Sequence, residues 1–342
     1  MTALLEVSEL TLCFGGLTAV DAVSFTVEKG SITAVIGPNG AGKTSLFNVI
    51  TAQYQASAGR ILVEGATIER QWGRAETLRA GGFTLLAGLL TALALHCQSL
   101  WSAFLHDWNS LTKFAWGTGL TLAWEEFLRT GTWPFAIGAA VAAAACWQHW
   151  HSQRRTPDLV HRHGIARTFQ NIRLFRRMSC LENILIPRDT RAGYGRLAAA
   201  LRLPWQRQRE AAEISAAMAL LELVGLTAAA HLPAGSLPYG AQRHLEIARA
   251  LSSKPRLLLL DEPAAGMNES ESADLMRLIR GIRATGTTIL LIEHDMQVVM
   301  GISDSIVVLD HGEKIAAGTP AEIRAHPAVI AAYLGETVEG QP

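Results

Sequence analysis

An excess of charge of either sign is missing from this 342-residue sequence, in which 30 Lys and Arg stand against 30 Asp and Glu. A balanced chain has no whole-molecule field to draw it to nucleic acid, and no basic patch interleaved with aromatics is present, so nucleic-acid binding is not expected. Cysteine is scarce too. Cys13, Cys97, Cys146 and Cys180 have neither metal-ligand nor redox spacing, and are expected to be reduced, small core residues of a cytosolic chain. Internal repeats and long low-complexity linkers are absent. The acid-flanked opening Met1 to Leu5 runs straight into a strand pattern, so no signal peptide is expected.

What is present begins with Gly37-Pro38-Asn39-Gly40-Ala41-Gly42-Lys43-Thr44, set between an apolar strand, Ser31 to Ile36, and a helical segment. Glycines at this spacing let consecutive backbone N–H groups curl round a phosphate, while the following helix aims its positive end at the same point. Lys43 would reach the β- and γ-phosphates, and Thr44, followed by Ser45, would offer its hydroxyl to Mg2+.

A second constellation lies downstream. Leu257 to Leu260 is an apolar run suited to a strand buried on both faces, and it delivers Asp261 and Glu262. Asp261 would hold Mg2+ through water, and Glu262 would polarise the attacking water. Thr288 to Ile292 reads as another buried strand, bringing Glu293, His294 and Asp295 to the same edge. There His294 could bond the γ-phosphate. Together these elements describe one ATP site.

Between them, Ser236-Leu237-Pro238-Tyr239-Gly240-Ala241-Gln242, followed by a helix over Arg243 to Leu251, resembles the signature motif of ATP-binding-cassette (ABC) ATPases. The resemblance implies that Tyr239, Gly240 and the helix N-terminus face nucleotide bound by a partner subunit. It also implies that Phe14 stacks on adenine, that Gln170 of Arg167-Thr168-Phe169-Gln170 is the Q-loop glutamine contacting metal or water, and that Ala264 to Asn268 is the D-loop. Within the ABC family the sequence is most similar to the LivG-like ATPases of branched-chain amino acid importers, through Gly164 to Phe175, Asp261 to Asn268, Ile292 to Met296 and Tyr333 to Glu336. The signature departs from the general pattern, with Pro238 in place of Ser and Ala241 in place of Gln or Glu. Pro238 has no hydroxyl to donate, so the contact across the subunits must rest on backbone groups and the helix dipole.

The resemblance covers residues 4–70 and about 160–336. It implies an α/β fold: a P-loop NTPase core of the ABC type with a mixed sheet, its N-terminal part in 1–70 and its remainder in 160–342. That remainder includes a helical subdomain, to which Ser179 to Ile186 and Trp205 to Gly225 are assigned as helices. One P-loop in the chain makes half of a two-site dimer. The implied partners are a second ABC ATPase subunit, two membrane permease subunits and, indirectly, an external substrate-binding protein, with ATP and Mg2+ at the site. The function expected is import of branched-chain amino acids; urea or amide import and lipopolysaccharide export share the architecture. A soluble ABC protein acting on ribosomes or DNA usually has two cassettes or a long coiled coil, and neither is present here.

Residues 71–159 have no counterpart in that pattern. Gly81 to Leu105 and Thr130 to Gln153 contain no Asp, Glu, Lys or Arg, and each exceeds the roughly 18 apolar residues of a spanning helix. Arg70, Arg74 and Arg79 precede the first run, and Arg154, Arg155 and Arg162 follow the second. Asp107, Lys113, Glu125, Glu126 and Arg129 lie between them. Positive flanks of this kind would stay cytoplasmic. Trp101, Trp108, Trp116 and Trp124 would form an outer belt or an interfacial helix. The expectation is a two-helix membrane hairpin, 81–105 and 130–153, anchoring the ATPase at the cytoplasmic side of the cell inner membrane. The alternative is a soluble helical hairpin whose apolar faces pack on the ATPase or a permease. The paired histidines His149 and His151, and His161 and His163, have no completing Cys or carboxylate, and no metal beyond Mg2+ is expected.

Overall fold

A computed structural model of the chain describes residues 2–68, 74–105, 125, 132–152, 155–192 and 204–338. These fall into two compact units, one of Met1–Ile68 with Thr156–Pro342 and one of Glu69–Arg155.

Among its described residues the first unit contains ten strands: β1 Ala3–Phe14, β2 Leu17–Glu28, β3 Ile32–Ile36, β4 Ala58–Val63, β5 Ala66–Thr67, β6 Ile165–Arg167, β7 Leu257–Asp261, β8 Thr288–Ile292, β9 Ser305–Asp310 and β10 Glu313–Gly318. Among the described residues the α-helices are α1 Lys43–Ile50, α2 Arg74–Leu105, α3 Thr132–Ser152, α4 Pro157–Arg162, α5 Cys180–Ala192, α6 Pro204–Leu223, α7 Tyr239–Leu251, α8 Glu269–Ala284, α9 Met296–Ile302, α10 Pro320–Arg324 and α11 Pro327–Val338. Of these, α2 and α3 belong to the second unit.

Two sheets result. One is antiparallel, in the order β2-β1-β4-β5; the other has six strands in the order β10-β9-β3-β8-β7-β6. In the larger sheet β6, β7, β8, β3 and β9 run parallel, and β10 pairs antiparallel with β9. The three central strands β3, β7 and β8 are buried at every residue. This is why they are apolar without alternation. Their side chains nevertheless alternate between two cores. Ile32, Ala34, Ile36, Leu258, Leu260, Ile289 and Leu291 enter one, with Leu245, Leu275 and Ile279 of the helices. Val35, Leu257, Leu259, Leu290 and Ile292 enter the other, with Leu46, Phe47 and Ile50 of α1 and the smaller sheet. Parallel strands sharing one direction put all their carboxyl ends on one edge, where ligands of open α/β sheets bind.

The second unit holds α2 against α3. A Cβ on Gly88 would come within 2.9 Å of the Phe135 ring, and one on Gly138 within 2.3 Å of Thr91 Oγ1. The helices thus approach through small residues, with Ala92 and Ala142 buried between them. Outward, Phe83, Leu85, Leu86, Leu89, Leu90, Leu93, Ile137, Val141 and Trp147 are all exposed.

Three expectations need correction. Among the described residues one helical segment, Thr77–Ala94 with mean hydropathy 1.4, is long and apolar enough to cross a membrane, not two. In α3, Pro134, Gly138 and the Trp147 to His151 end dilute the alanines. Trp108, Trp116 and Trp124 of the expected belt lie outside the described residues. Cys13 is exposed rather than a core residue, Cys146 is half-buried and Cys180 is buried, because Cys13 sits in the exposed last turn of alternation in β1. Finally, the signature helix starts at Tyr239 rather than Arg243.

Candidate nucleotide site

The P-loop connects β3 to α1 through three glycines at positive φ: Gly37 (153°), Gly40 (82°) and Gly42 (90°). A Cβ on Gly37 would lie 2.0 Å from the Leu309 carbonyl oxygen, and one on Gly42 2.3 Å from that of Ala19. Both space and backbone therefore require glycine. Gly42 is the N-cap of α1 and no side chain caps it, which leaves first-turn N–H groups to serve an anion. Lys43 is buried, and its Nζ donates to the carbonyls of Gly37 and Pro38, both at 2.6 Å. Asn39 and Gly40 are exposed, Pro38 and Ala41 buried, Thr44 exposed and Ser45 half-buried. Phe14 is exposed and meets Tyr54 edge-on, with ring centroids 5.1 Å apart. Tyr54, just beyond α1, carries no motif that would have singled it out.

Register brings the other candidates level with the loop. Val35 pairs with Ile292, and Ile292 with Asp261. Asp261, at the end of β7, is buried. Its Oδ2 accepts from Arg167 Nη2 at 2.6 Å, while its Oδ1 is buried without a hydrogen-bond partner. Glu262 follows with φ 47°, a left-handed conformation that a glutamate adopts only under constraint. Its N–H donates to Ile292 O at 2.9 Å, and its Oε2 accepts from Gln170 Nε2 at 2.9 Å. The structure thus unites Gln170, Glu262 and, through β7, Asp261. His294 lies past the end of β8 with its side chain 61% exposed.

Glu293 is fully buried. Burial pushes its carboxyl pKa up, against the pull of hydrogen bonds from the backbone N–H groups of Ala264 at 2.7 Å and His294 at 3.2 Å. It ties the segment before His294 to the loop after Glu262. The sequence reading assigned Glu293 no role, because a carboxylate beside a histidine gives no sign of which one turns inward.

The signature segment has Pro238 as N-cap and Tyr239 and Gly240 as the first two residues of α7. Tyr239 Oη donates to Ala265 O at 3.1 Å. A Cβ on Gly240 would sit 3.0 Å from Glu271 Oε1. Arg243, one turn on, is the largest fully buried side chain among the described residues. It donates from Nη1 to Phe169 O at 2.7 Å and to Glu246 Oε2 at 3.1 Å, and from Nη2 to Gln170 O. Glu246 Oε1 in turn accepts from Arg173 N at 3.2 Å. The main chain around Gln170 is therefore held by an ion pair on the signature helix. Arg167, Arg243 and Glu246 were not expected as site residues; the i,i+3 spacing of Arg243 and Glu246 was the only local sign.

The donor set fits the expected groups. The turn that Gly37, Gly40 and Gly42 make at positive φ, and the uncapped start of α1, suit a polyphosphate. The unpartnered, buried Asp261 Oδ1 is the hard oxygen donor that Mg2+ favours.

The family profile described as "ABC transporter" matches residues 20–87 and 148–265, leaving 88–147 between its two stretches. A second profile, "Branched-chain amino acid ATP-binding cassette transporter", matches 313–339. The high-affinity branched-chain amino acid transport ATP-binding protein BraF of Pseudomonas aeruginosa is 36% identical over 97% of this chain and 98% of its own length. Proteins of the same description named LivG, from Salmonella typhimurium and Escherichia coli K12, are 35% and 34% identical over the same shares. A crystal structure of an ATP-binding cassette of an ABC transporter in its ADP conformation superposes with a TM-score of 0.64 at 24% identity, covering 98% of this chain and all of that one. It speaks for the fold.

Proposed function

Since this chain belongs to the ABC transporter family, we propose that it is the ATP-binding and ATP-hydrolysing subunit of an importer of branched-chain amino acids. The observation that carries this is one sheet edge holding a glycine-cradled lysine, a buried aspartate with a free oxygen and a Gln170–Glu262 pair, in a chain whose relatives over its whole length serve branched-chain amino acid transport.

In this reading the N–H groups of Asn39 to Ser45 and the Lys43 ammonium hold the ATP phosphates, and Phe14 stacks on the adenine. Thr44, Gln170 and Asp261 would hold Mg2+, which would supply positive charge to offset the negative charge of the phosphates. Glu262 accepts a proton from the attacking water, and Gln170, bonded to it, orients that water. His294 supports the γ-phosphate from the next strand. Tyr239 and Gly240 at the uncapped start of α7 face nucleotide held by a second ATPase subunit, so that ATP closes the dimer and hydrolysis reopens it. Two permease subunits alternate their access with this cycle and receive cargo from an external binding protein.

The chain works at the cytoplasmic side of the inner membrane. Its ATPase is divided between 1–70 and 160–342, and 71–159 is an inserted membrane-associated helical hairpin. Support for the hairpin comes from the apolar side chains exposed on both α2 and α3, and from the return of the Thr84 and Thr91 hydroxyls to carbonyls of their own helix, at 2.9 and 2.8 Å. Alkaline-carbonate extraction of the chain made without its permeases tests this: retention in the membrane pellet is expected, and free release refutes it.

Uptake of radiolabelled leucine by source cells carrying Lys43→Ala tests the function. Loss of uptake is expected. Undiminished leucine uptake, with loss of urea, amide or lipid transport instead, refutes the cargo.

A further inference from the structure

We propose that Arg167 is a positioning residue for the metal site, one guanidinium that fixes the Asp261 carboxylate against the P-loop helix; the proposal rests on the ATPase reading above. Arg167 closes β6, and its side chain is 7% exposed. Nη2 donates to Asp261 Oδ2 at 2.6 Å. Nη1 donates to Asn48 Oδ1 at 2.7 Å and to Thr51 Oγ1 at 3.2 Å. The aromatic rings of Phe47 and Phe169 lie 5.7 and 5.6 Å from its central carbon.

Asn48 lies four residues after Thr44 on α1, so the two occupy the same side of that helix one turn apart. The element that supplies Thr44 and the strand that supplies Asp261 are thereby joined through a single planar, five-donor group, which no lysine can imitate. The strand that leads into the P-loop does not pair with the strand of Asp261, since β8 separates β3 from β7. The next residue works on the same target: Thr168 Oγ1 accepts from Asp261 N at 3.4 Å. With Oδ2 engaged by Arg167, the buried and unpartnered Oδ1 is the oxygen left for the metal or its water. Without the guanidinium the carboxylate can turn, and its distance from Thr44 is no longer set. Groups that orient metal ligands in this way typically change metal affinity by about 10–100-fold.

The test uses the full chain carrying Glu262→Gln, so that nucleotide stays intact. Binding of a fluorescent ATP analogue is measured in EDTA and over a Mg2+ titration, with Arg167→Met, Arg167→Lys and Asn48→Ala beside the parent. Unchanged nucleotide affinity in EDTA is expected, with the Mg2+ midpoint raised about tenfold or more in Arg167→Met and by less in Arg167→Lys and Asn48→Ala. Equal midpoints, or affinity falling equally with and without Mg2+, overturn the proposal, since a merely structural residue gives the latter. If circular dichroism shows Arg167→Met unfolded, the other two variants decide by the same criterion. A parent chain that binds no nucleotide under any condition refutes the ATPase reading, an outcome distinguishable from equal midpoints in a chain that binds.

Discussion

The side-chain amide of Gln170 donates to the carboxylate of Glu262 at 2.9 Å, while the main-chain carbonyl of the same glutamine accepts from Arg243 of the signature helix. One residue therefore touches the group assigned to the attacking water and the helix assigned to the partner's nucleotide. Gln170→Ala is expected to lose coupled transport while the chain still binds ATP, because only the side-chain half of the link goes and the P-loop stays whole. Leucine uptake set against ATP binding checks it; coupled transport left intact contradicts it.

Glycine at the helix cap is a steric requirement. Gly42 has φ 90°, and a Cβ there would meet the Ala19 carbonyl at 2.3 Å. Gly42→Ala is expected to cost about 1–3 kcal/mol from the backbone conformation, before any clash is added, and to weaken nucleotide binding. Gly281, inside α8 with open space around it, is the control, and Gly281→Ala should stabilise by about 0.5–1 kcal/mol. Urea unfolding of both variants measures the contrast.

Arg243 and Glu246 form an ion pair with side chains 2% and 1% exposed. Removing one partner strands a buried charge, so Arg243→Met should destabilise by about 3–5 kcal/mol. Adding Glu246→Gln should recover part of that loss. Denaturant midpoints of the single and double variants check this, and simple addition of the two losses would contradict it.

Reciprocal caps open α5, α8 and α10, through Ser179 and Glu182, Asn268 and Glu271, and Thr319 and Glu322. Backbone and hydroxyl bonds from Ser179 lower the pKa of Glu182, and bonds from Thr319 do the same for Glu322. A carboxylate with a lowered folded pKa stabilises above its unfolded value, ordinarily 4.5 for both groups, and loses that contribution as pH falls through the folded value. The double variant Glu182→Gln, Glu322→Gln should therefore be less stable than the parent at neutral pH, and the two stability curves should converge in acid. Thermal melts across that range measure it.

The site was legible in the sequence where its chemistry is local. Gly37 to Thr44 declares the loop because each glycine answers a backbone need, and Leu257 to Leu260 and Thr288 to Ile292 declare strands because burial on both faces removes polar alternation. Arg167 and Arg243 were opaque, since their partners Asp261 and the Phe169 carbonyl lie far along the chain and no periodicity links them. The start of the signature helix was placed late because Pro238 reads as a breaker, whereas here it is the N-cap and Tyr239 begins the turn. The helices of the second unit were evident from their lack of charge. The apolarity of α3 was overestimated because Pro134, Gly138 and the Trp147 to His151 end are uncharged yet not strongly apolar.

ATP turnover by the chain assembled with its transporter, wild type against Glu262→Gln, reaches the centre of this reading most directly. A fall of about 10²-fold or more with nucleotide binding retained is expected if Glu262 takes the proton from water; equal turnover would contradict the assignment of this sheet edge as the hydrolytic site.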